Sequence, residues 1–127
     1  MKRKQTPEGA LLRLTLDLLA AEHIFALRMQ TGATVSTYKG KTRMVRYGVP
    51  GMGDVLAFPH NPVVLWKGVA PYETIVDRFL PTWLEIKAPD GKHSDLQKSF
   101  QAQVEAEGHK YCVCRSIEDV RAALGIQ

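Results

Sequence analysis

The sequence predicts a single α/β domain, residues 1–127, built around a mixed β-sheet. Three observations support this fold class. Hydrophobic residues recur at helical spacing near the start of the chain, short runs rich in β-branched and aromatic residues follow, and two segments with helix-capping residues come later. At 127 residues, the chain is long enough to bury a core of its own.

The first predicted helix begins at Thr6-Pro7, because a threonine hydroxyl caps a helix and proline suits its first position. We expect it to continue to about Gln30, with Gly32 as its terminator. Glu22 falls inside the apolar stripe of this helix, where a carboxylate requires a partner because burying an unpaired charge is costly. The stripe has helical spacing and consists of Leu11, Leu14, Leu18, Phe25 and Met29.

Two strands joined by a tight turn are predicted next. Residues 33–38 and 42–47 are rich in β-forming residues, and Lys39-Gly40-Lys41 between them is typical of a hairpin turn. A glycine-rich loop at 48–53 then leads into a strand at 54–58.

The segment 60–81 is the least regular part of the chain, because Pro59 precedes it and Pro62, Pro71 and Pro81 interrupt it. It contains a candidate strand at 63–66 and a short helix or a loop at 72–79. A buried strand is predicted at 82–88, followed by a loop at 89–93.

A capping box predicts the next helix. Ser94 and Gln97 have the required spacing, and we expect the helix to end near Glu107, before Gly108. A strand and a final capped helix follow at 110–115 and 116–124.

Composition limits the possible partners. The formal net charge of +4 permits an anionic partner such as nucleic acid. No apolar run is long enough to cross a membrane, so we expect a cytoplasmic protein without a membrane partner. Cys112 and Cys114 stand alone, which makes a zinc site improbable and predicts reduced thiols.

Two acidic residues and a lysine are the candidate chemical groups. Strand alternation places Leu84 and Ile86 on one face and Glu85 and Lys87 on the other. If the strand that begins at Asp54 pairs beside them, the two carboxylates converge and can hold Mg²⁺, which prefers oxygen ligands. A surface ion pair is the alternative that this spacing leaves open.

The motifs around these residues resemble the PD-(D/E)xK nuclease superfamily, and more narrowly its virus-type replication-repair nuclease (VRR-NUC) domain. The resemblance covers roughly residues 10–125. It depends on an ordered set of segments: Gly48-Val49-Pro50-Gly51-Met52-Gly53-Asp54, Leu84-Glu85-Ile86-Lys87-Ala88-Pro89-Asp90-Gly91-Lys92, Ser94-Asp95-Leu96-Gln97-Lys98-Ser99-Phe100, Gly108, and Cys114-Arg115-Ser116-Ile117-Glu118-Asp119-Val120.

This resemblance implies a restriction-endonuclease-like α-β-β-β-α-β core and a DNA endonuclease that depends on Mg²⁺ or Mn²⁺. Asp54, Glu85 and the Ile86 carbonyl would be metal ligands, and Lys87 the catalytic lysine. Two further residues match acidic and amide positions of the superfamily. Glu22 would bind metal directly or through water, with a salt bridge as its alternative role, and Gln97 would join the site in addition to its cap.

The resemblance also implies partners: branched DNA such as Holliday junctions, or duplex DNA, and a second copy in a homodimer from a phage or bacterium. Candidate phosphate contacts are Lys39, Lys41, Arg43 and Arg46 on the hairpin, with Lys92 and His93 before the capped helix. Segment 60–81 departs from the family as an insertion, either an extra hairpin or a dimer or DNA contact. The alternatives are a non-catalytic DNA-binding module with this fold, or a metal-dependent phosphatase.

Overall fold

The described part of the chain comprises residues 5–30, 32–66 and 73–126 of a computed structural model, without the side chains of residues 32–34, 45–47, 61–66 and 73–78. Its elements are, in chain order, α1 (Pro7–Ala21), β1 (Phe25–Arg28), β2 (Gly32–Tyr38), β3 (Lys41–Tyr47), β4 (Val55–Phe58), β5 (His60–Trp66), β6 (Glu73–Phe79), β7 (Thr82–Ile86), α2 (Asp95–Ala106), β8 (Lys110–Cys114) and α3 (Ile117–Leu124).

The central sheet has four strands in the order β1-β4-β7-β8. β4 lies antiparallel to both β1 and β7, whereas β7 and β8 are parallel. A parallel pair requires a crossover connection, and α2 supplies it between β7 and β8. The predicted mixed α/β architecture, with helices around a mixed central sheet, is therefore confirmed.

Two hairpins leave this sheet and pair only within themselves among the described residues. β2 and β3 turn at Lys39 and Gly40, whose φ angles of 50° and 73° are those of a two-residue hairpin turn. β5 and β6 form the second hairpin, with Val63 opposite Val76. The helix or loop expected at 72–79 is wrong, because this stretch, which contains β-branched residues, forms strand β6. The expected extra hairpin is confirmed. Residues 67–72 lie outside the described part of the chain.

The first helix ends nine residues earlier than Gln30, at Ala21. His23 adopts a left-handed φ of 55°, and the N–H groups of His23 and Ile24 donate to the carbonyls of Ala20 and Leu19. This is a Schellman ending, which usually carries glycine at the left-handed position. The stripe prediction is therefore wrong at Phe25, which belongs to strand β1, and at Leu14, which is exposed within the helix.

The side chains of β7 alternate between two cores, as predicted. Leu84 and Ile86 pack with residues of α1 and α3 on one face of the sheet. Trp83 packs on the other face against α2, with its ring edge-on to Phe100. All five residues of β7 are buried, so any polar side chain on this strand lies inside the protein.

Candidate functional site

Asp54 ends the pairing between β4 and β7. Its N–H donates to the carbonyl of Leu84 over 3.1 Å, and its carboxylate Oδ2 accepts from the N–H of Ile86 over 2.7 Å. The next hydrogen bond between the two strands is thus accepted by a side chain rather than by a backbone carbonyl. Because the N–H and C=O of one strand residue point to the same side, the Ile86 carbonyl shares this edge with the Asp54 carboxylate.

Glu85 is buried on the α2 side of the sheet, with only 3% of its surface exposed. Its Oε1 accepts from Gln97 Nε2 at 2.8 Å and lies 3.8 Å from Lys87 Nζ. Its Oε2 accepts from the Tyr111 hydroxyl over a longer 3.4 Å. A carboxylate, a lysine, an amide and a phenol therefore meet in one partly buried cluster.

Gln97 completes the predicted capping box and also contacts Glu85, while its predicted role in the site remains a prediction. Its Oε1 accepts from the N–H of Ser94, and the Ser94 hydroxyl accepts from the N–H of Gln97, which completes the capping box of α2. The other end of the same amide donates to Glu85. The start of α2 is thereby tied to the buried carboxylate.

The surroundings of Asp54 and Glu85 favour the protonated form of both carboxyl groups. Burial is the main cause that raises the pKa of Asp54, although the hydrogen bond from Ile86 and the charge of Lys87 oppose it. Burial, and then the charge of Asp54, raise the pKa of Glu85 to about 8. Burial and the neighbouring Glu85 raise the pKa of Tyr111, so its hydroxyl remains a donor.

These donors fit a hard divalent cation. Within the described ranges, no group of three or more His, Cys, Asp or Glu side chains is placed to hold a metal. Mg²⁺ does not require such a group, since it is commonly held by one or two carboxylates together with waters and substrate phosphates. A cation between Asp54 and Glu85 would also relieve the mutual repulsion that raises the pKa of Glu85.

The glycine-rich loop before Asp54 packs directly on the first turn of α2. Gly51 has a φ of +79°, and a Cβ added there would lie 2.2 Å from the Leu96 carbonyl oxygen and 2.8 Å from Gln97 N. Only glycine permits this approach. Gly51 therefore couples the loop that carries Asp54 to the helix that carries Gln97.

Glu22 lies apart from this cluster, and its expected inward position is wrong. It is the exposed C-cap of α1, three residues before Phe25. β1 pairs Phe25 with Phe58 and Arg28 with Val55, so Glu22 is at the opposite end of the sheet from Asp54. The error follows from the helix boundary, because extending α1 to Gln30 placed residue 22 in a regular helical stripe.

The first turn of α1 lies nearer than Glu22 to the end of the central sheet that carries Asp54. A cavity between this turn and β1 is lined by Gln5, Thr6, Gly9, Leu12, Arg13, Leu16 and Arg28. Glu8 is the acidic residue of this first turn; it is exposed and is not among the residues that line the cavity. The charge of Arg28 also acts to lower the pKa of Asp54.

The predicted phosphate contacts fall in two places. Lys39, Lys41 and Arg43 are exposed on the β2–β3 hairpin, whereas the side chain of Arg46 lies outside the described residues. Lys92 is exposed in the loop after β7. His93 is half-buried: its Nε2 is 2.9 Å from Gln101 Oε1, and its ring lies 5.7 Å from that of Tyr111.

Sequence reasoning missed Tyr111 and Arg115. Tyr111 reaches Glu85 because β8 lies parallel to β7 and shares its α2 face, a relationship that a strand-pairing argument would have found. Arg115 donates from one guanidinium nitrogen to the carbonyls of Ala88 and Gly91. It therefore holds the loop that follows Lys87.

No family model, curated protein or solved structure matches this chain significantly.

In the described ranges, no helix has the length and apolarity to cross a membrane. Cys112 and Cys114 are free, as predicted, and burial raises the pKa of both thiols.

Proposed function

We propose that the protein is a metal-dependent DNA endonuclease of the VRR-NUC type, a hydrolase of phosphodiester bonds. The observation that carries this proposal is the convergence of Asp54, Glu85 and Lys87, with Asp54 bonded to the N–H of Ile86 at the strand edge. Two carboxylates and a lysine are the groups that this chemistry requires.

The order of elements supports the same proposal. When the two hairpins are set aside as insertions, the chain runs α1, β1, β4, β7, α2, β8. This is the α-β-β-β-α-β order that a restriction-endonuclease-like core implies. The candidate residues lie where the second and third of these strands meet.

Each side chain has a distinct task in this mechanism. Asp54, Glu85 and the Ile86 carbonyl would hold Mg²⁺ or Mn²⁺. Such an ion, when bound, polarises a phosphodiester and acidifies a bound water. Lys87, only 13% exposed, places a positive charge beside Glu85, where it can stabilise negative charge that develops on the phosphate. Gln97 and Tyr111 fix the orientation of the Glu85 carboxylate.

The partners proposed for this activity are DNA and a second copy of the chain. Branched DNA has two strands to cut, and a two-fold dimer presents two related sites. Phe25, on the edge strand β1, is 66% exposed and is a candidate interface residue. Light scattering of the purified protein tests this part: a monomer at micromolar concentration contradicts it.

Cleavage of a substrate panel tests the proposed function. The protein is incubated with Holliday junction, flap, duplex and single-stranded DNA in Mg²⁺, Mn²⁺ or EDTA. We expect cleavage only with a divalent metal, and preferentially of the branched substrates. DNA binding without cleavage of any substrate would favour the non-catalytic module instead.

A further inference from the structure

The β2–β3 hairpin is inserted between two segments that meet at the candidate site. β1 ends at Arg28, opposite Val55, and the N–H of Met29 donates to the Asp54 carbonyl over 2.8 Å. The returning strand β3 leads through the loop at 48–53 back to Asp54. With seven residues per strand and about 3.3 Å per residue, the hairpin extends roughly 23 Å from its own ends at Gly32 and Tyr47.

The positive charge of the protein is concentrated in the same segment. Residues 23–53 contain no Asp or Glu and five basic residues, while the rest of the chain has 12 Lys or Arg against 13 Asp or Glu. The five are Arg28, Lys39, Lys41, Arg43 and Arg46. The excess of positive charge therefore lies in the segment that joins β1 to Asp54.

One face of the hairpin combines an aromatic ring with cations. Tyr38 pairs with Lys41, and Ser36 with Arg43, so Tyr38, Lys41 and Arg43 share a face. Tyr38 is 74% exposed, and Lys39 Nζ lies 5.5 Å from its ring centroid. A cavity of about 590 Å³ is lined by Ser36, Tyr38, Lys39, Lys41, Thr42 and Arg43. The opposite face carries Val35 opposite Met44.

We infer that this face binds an unpaired stretch of the DNA substrate, with Tyr38 stacked on a base and Lys41 and Arg43 against phosphates. The substrate class follows from the ring. In a duplex the faces of the bases are covered by their neighbours, and inserting a ring between them costs unstacking energy, so an exposed tyrosine stacks preferentially on an unpaired base. The inference rests on the proposed function for DNA as the substrate, and it adds that the substrate carries unpaired nucleotides in addition to the cleaved bond.

Binding measured in EDTA tests the assignment without cleavage. Fluorescence anisotropy compares wild type, Tyr38→Ala, Tyr38→Phe and Val35→Ala on a single-stranded oligonucleotide and on a duplex of equal length. Val35, 67% exposed on the opposite face, is the matched control. We expect Tyr38→Ala to weaken single-strand binding about tenfold, because stacking on one base accounts for that much affinity. Tyr38→Phe and Val35→Ala should bind as wild type does.

Joint replacement of Lys41 and Arg43 by alanine measures the phosphate contacts. For a single strand, the slope of log affinity against log salt should become shallower by about 1.4, since each of the two phosphate contacts contributes roughly 0.7. Unchanged single-strand affinity in Tyr38→Ala, or an equal loss in Val35→Ala, would overturn the inference.

Cleavage is scored separately from binding. If wild type cleaves no DNA in Mg²⁺ but Tyr38→Ala still loses single-strand affinity selectively, the proposed nuclease function fails and the hairpin assignment stands. If wild type cleaves branched DNA and Tyr38→Ala binds and cleaves equally well, the hairpin assignment fails and the nuclease function stands.

Discussion

The amide of Gln97 joins the cap of helix α2 to the buried carboxylate of Glu85. Its Oε1 lies 2.9 Å from Ser94 N, and its Nε2 lies 2.8 Å from Glu85 Oε1. Because an amide has its acceptor on one side and its donors on the other, the cap turns the NH₂ group toward the carboxylate. Helix capping and orientation of a site residue thus depend on one side chain.

Replacement of Gln97 by alanine should lower metal-dependent cleavage by about 10- to 100-fold, the usual cost of losing a group that orients a metal ligand. Ser94→Ala removes a cap acceptor, at about 1 kcal/mol of stability, but leaves the Gln97–Glu85 contact. Cleavage rates and urea unfolding of both variants are compared. Equal cleavage by the two variants would show that Gln97 acts only through the cap.

Gly51 cannot accept a side chain. Gly51→Ala combines a left-handed φ with a collision against the backbone of α2, whereas Gly108, also at positive φ, has open space around its Cβ position. We expect Gly108→Ala to cost about 1 kcal/mol and Gly51→Ala clearly more, since only the latter must also move the helix. Urea unfolding measures both. Equal losses of stability would refute the close approach.

The metal-free protein should become less stable as pH rises from about 4.5 to about 8. The pKa of Glu85 is raised from 4.5 to about 8, so in this window the folded protein keeps a proton that the unfolded chain has released. Stability then falls with pH, by roughly 1.4 kcal/mol per pH unit for one proton. The raised pKa of Asp54 acts in the same direction.

Glu85→Gln tests this pH dependence, because the amide is neutral at every pH. Urea unfolding at pH 5.5, 7 and 8.5 without divalent metal should give a flatter profile for Glu85→Gln than for wild type. The exposed Glu107→Gln is the control and should keep the wild-type slope. A wild-type stability that rises between pH 5.5 and 8.5 would contradict the assigned pKa direction.

Arg115 is expected to hold the loop that follows Lys87. Arg115→Ala removes the guanidinium bonds to the carbonyls of Ala88 and Gly91, at about 1.5–3 kcal/mol for hydrogen bonds to a charged group. Amide hydrogen exchange should accelerate in the loop at 88–93, and more than in the exposed control Lys98→Ala. Unchanged exchange in this loop would exclude the role.

Local chemistry made the chain from β7 to α3 predictable. The capping box of Ser94 and Gln97 sets the start of α2, and Gly108 its end, at the positions that the sequence predicts. The alternation of Leu84, Glu85 and Ile86 likewise determines which side chains reach the α2 face. These features depend on residues close in sequence, so short-range reasoning found them.

Long-range and unusual local features escaped prediction. At the end of α1, His23 adopts the left-handed conformation for which glycine is the usual sequence signal. The predicted helix therefore includes the residues of β1 and places Glu22 on the wrong surface. The contact of Gly51 with Leu96 joins segments 45 residues apart, and no local pattern indicates it. The same is true of the Tyr111 bond to Glu85.

The cleavage rate of Lys87→Ala tests the proposed nuclease site most directly. Wild type, Lys87→Ala, Asp54→Asn and the exposed control Lys98→Ala are assayed on branched DNA at saturating Mg²⁺, with folding checked by circular dichroism. We expect Lys87→Ala and Asp54→Asn to cleave at least about 100-fold more slowly, as when a transition-state charge loses its partner. Lys98→Ala should match wild type. Cleavage at the wild-type rate by folded Lys87→Ala and Asp54→Asn would contradict the account.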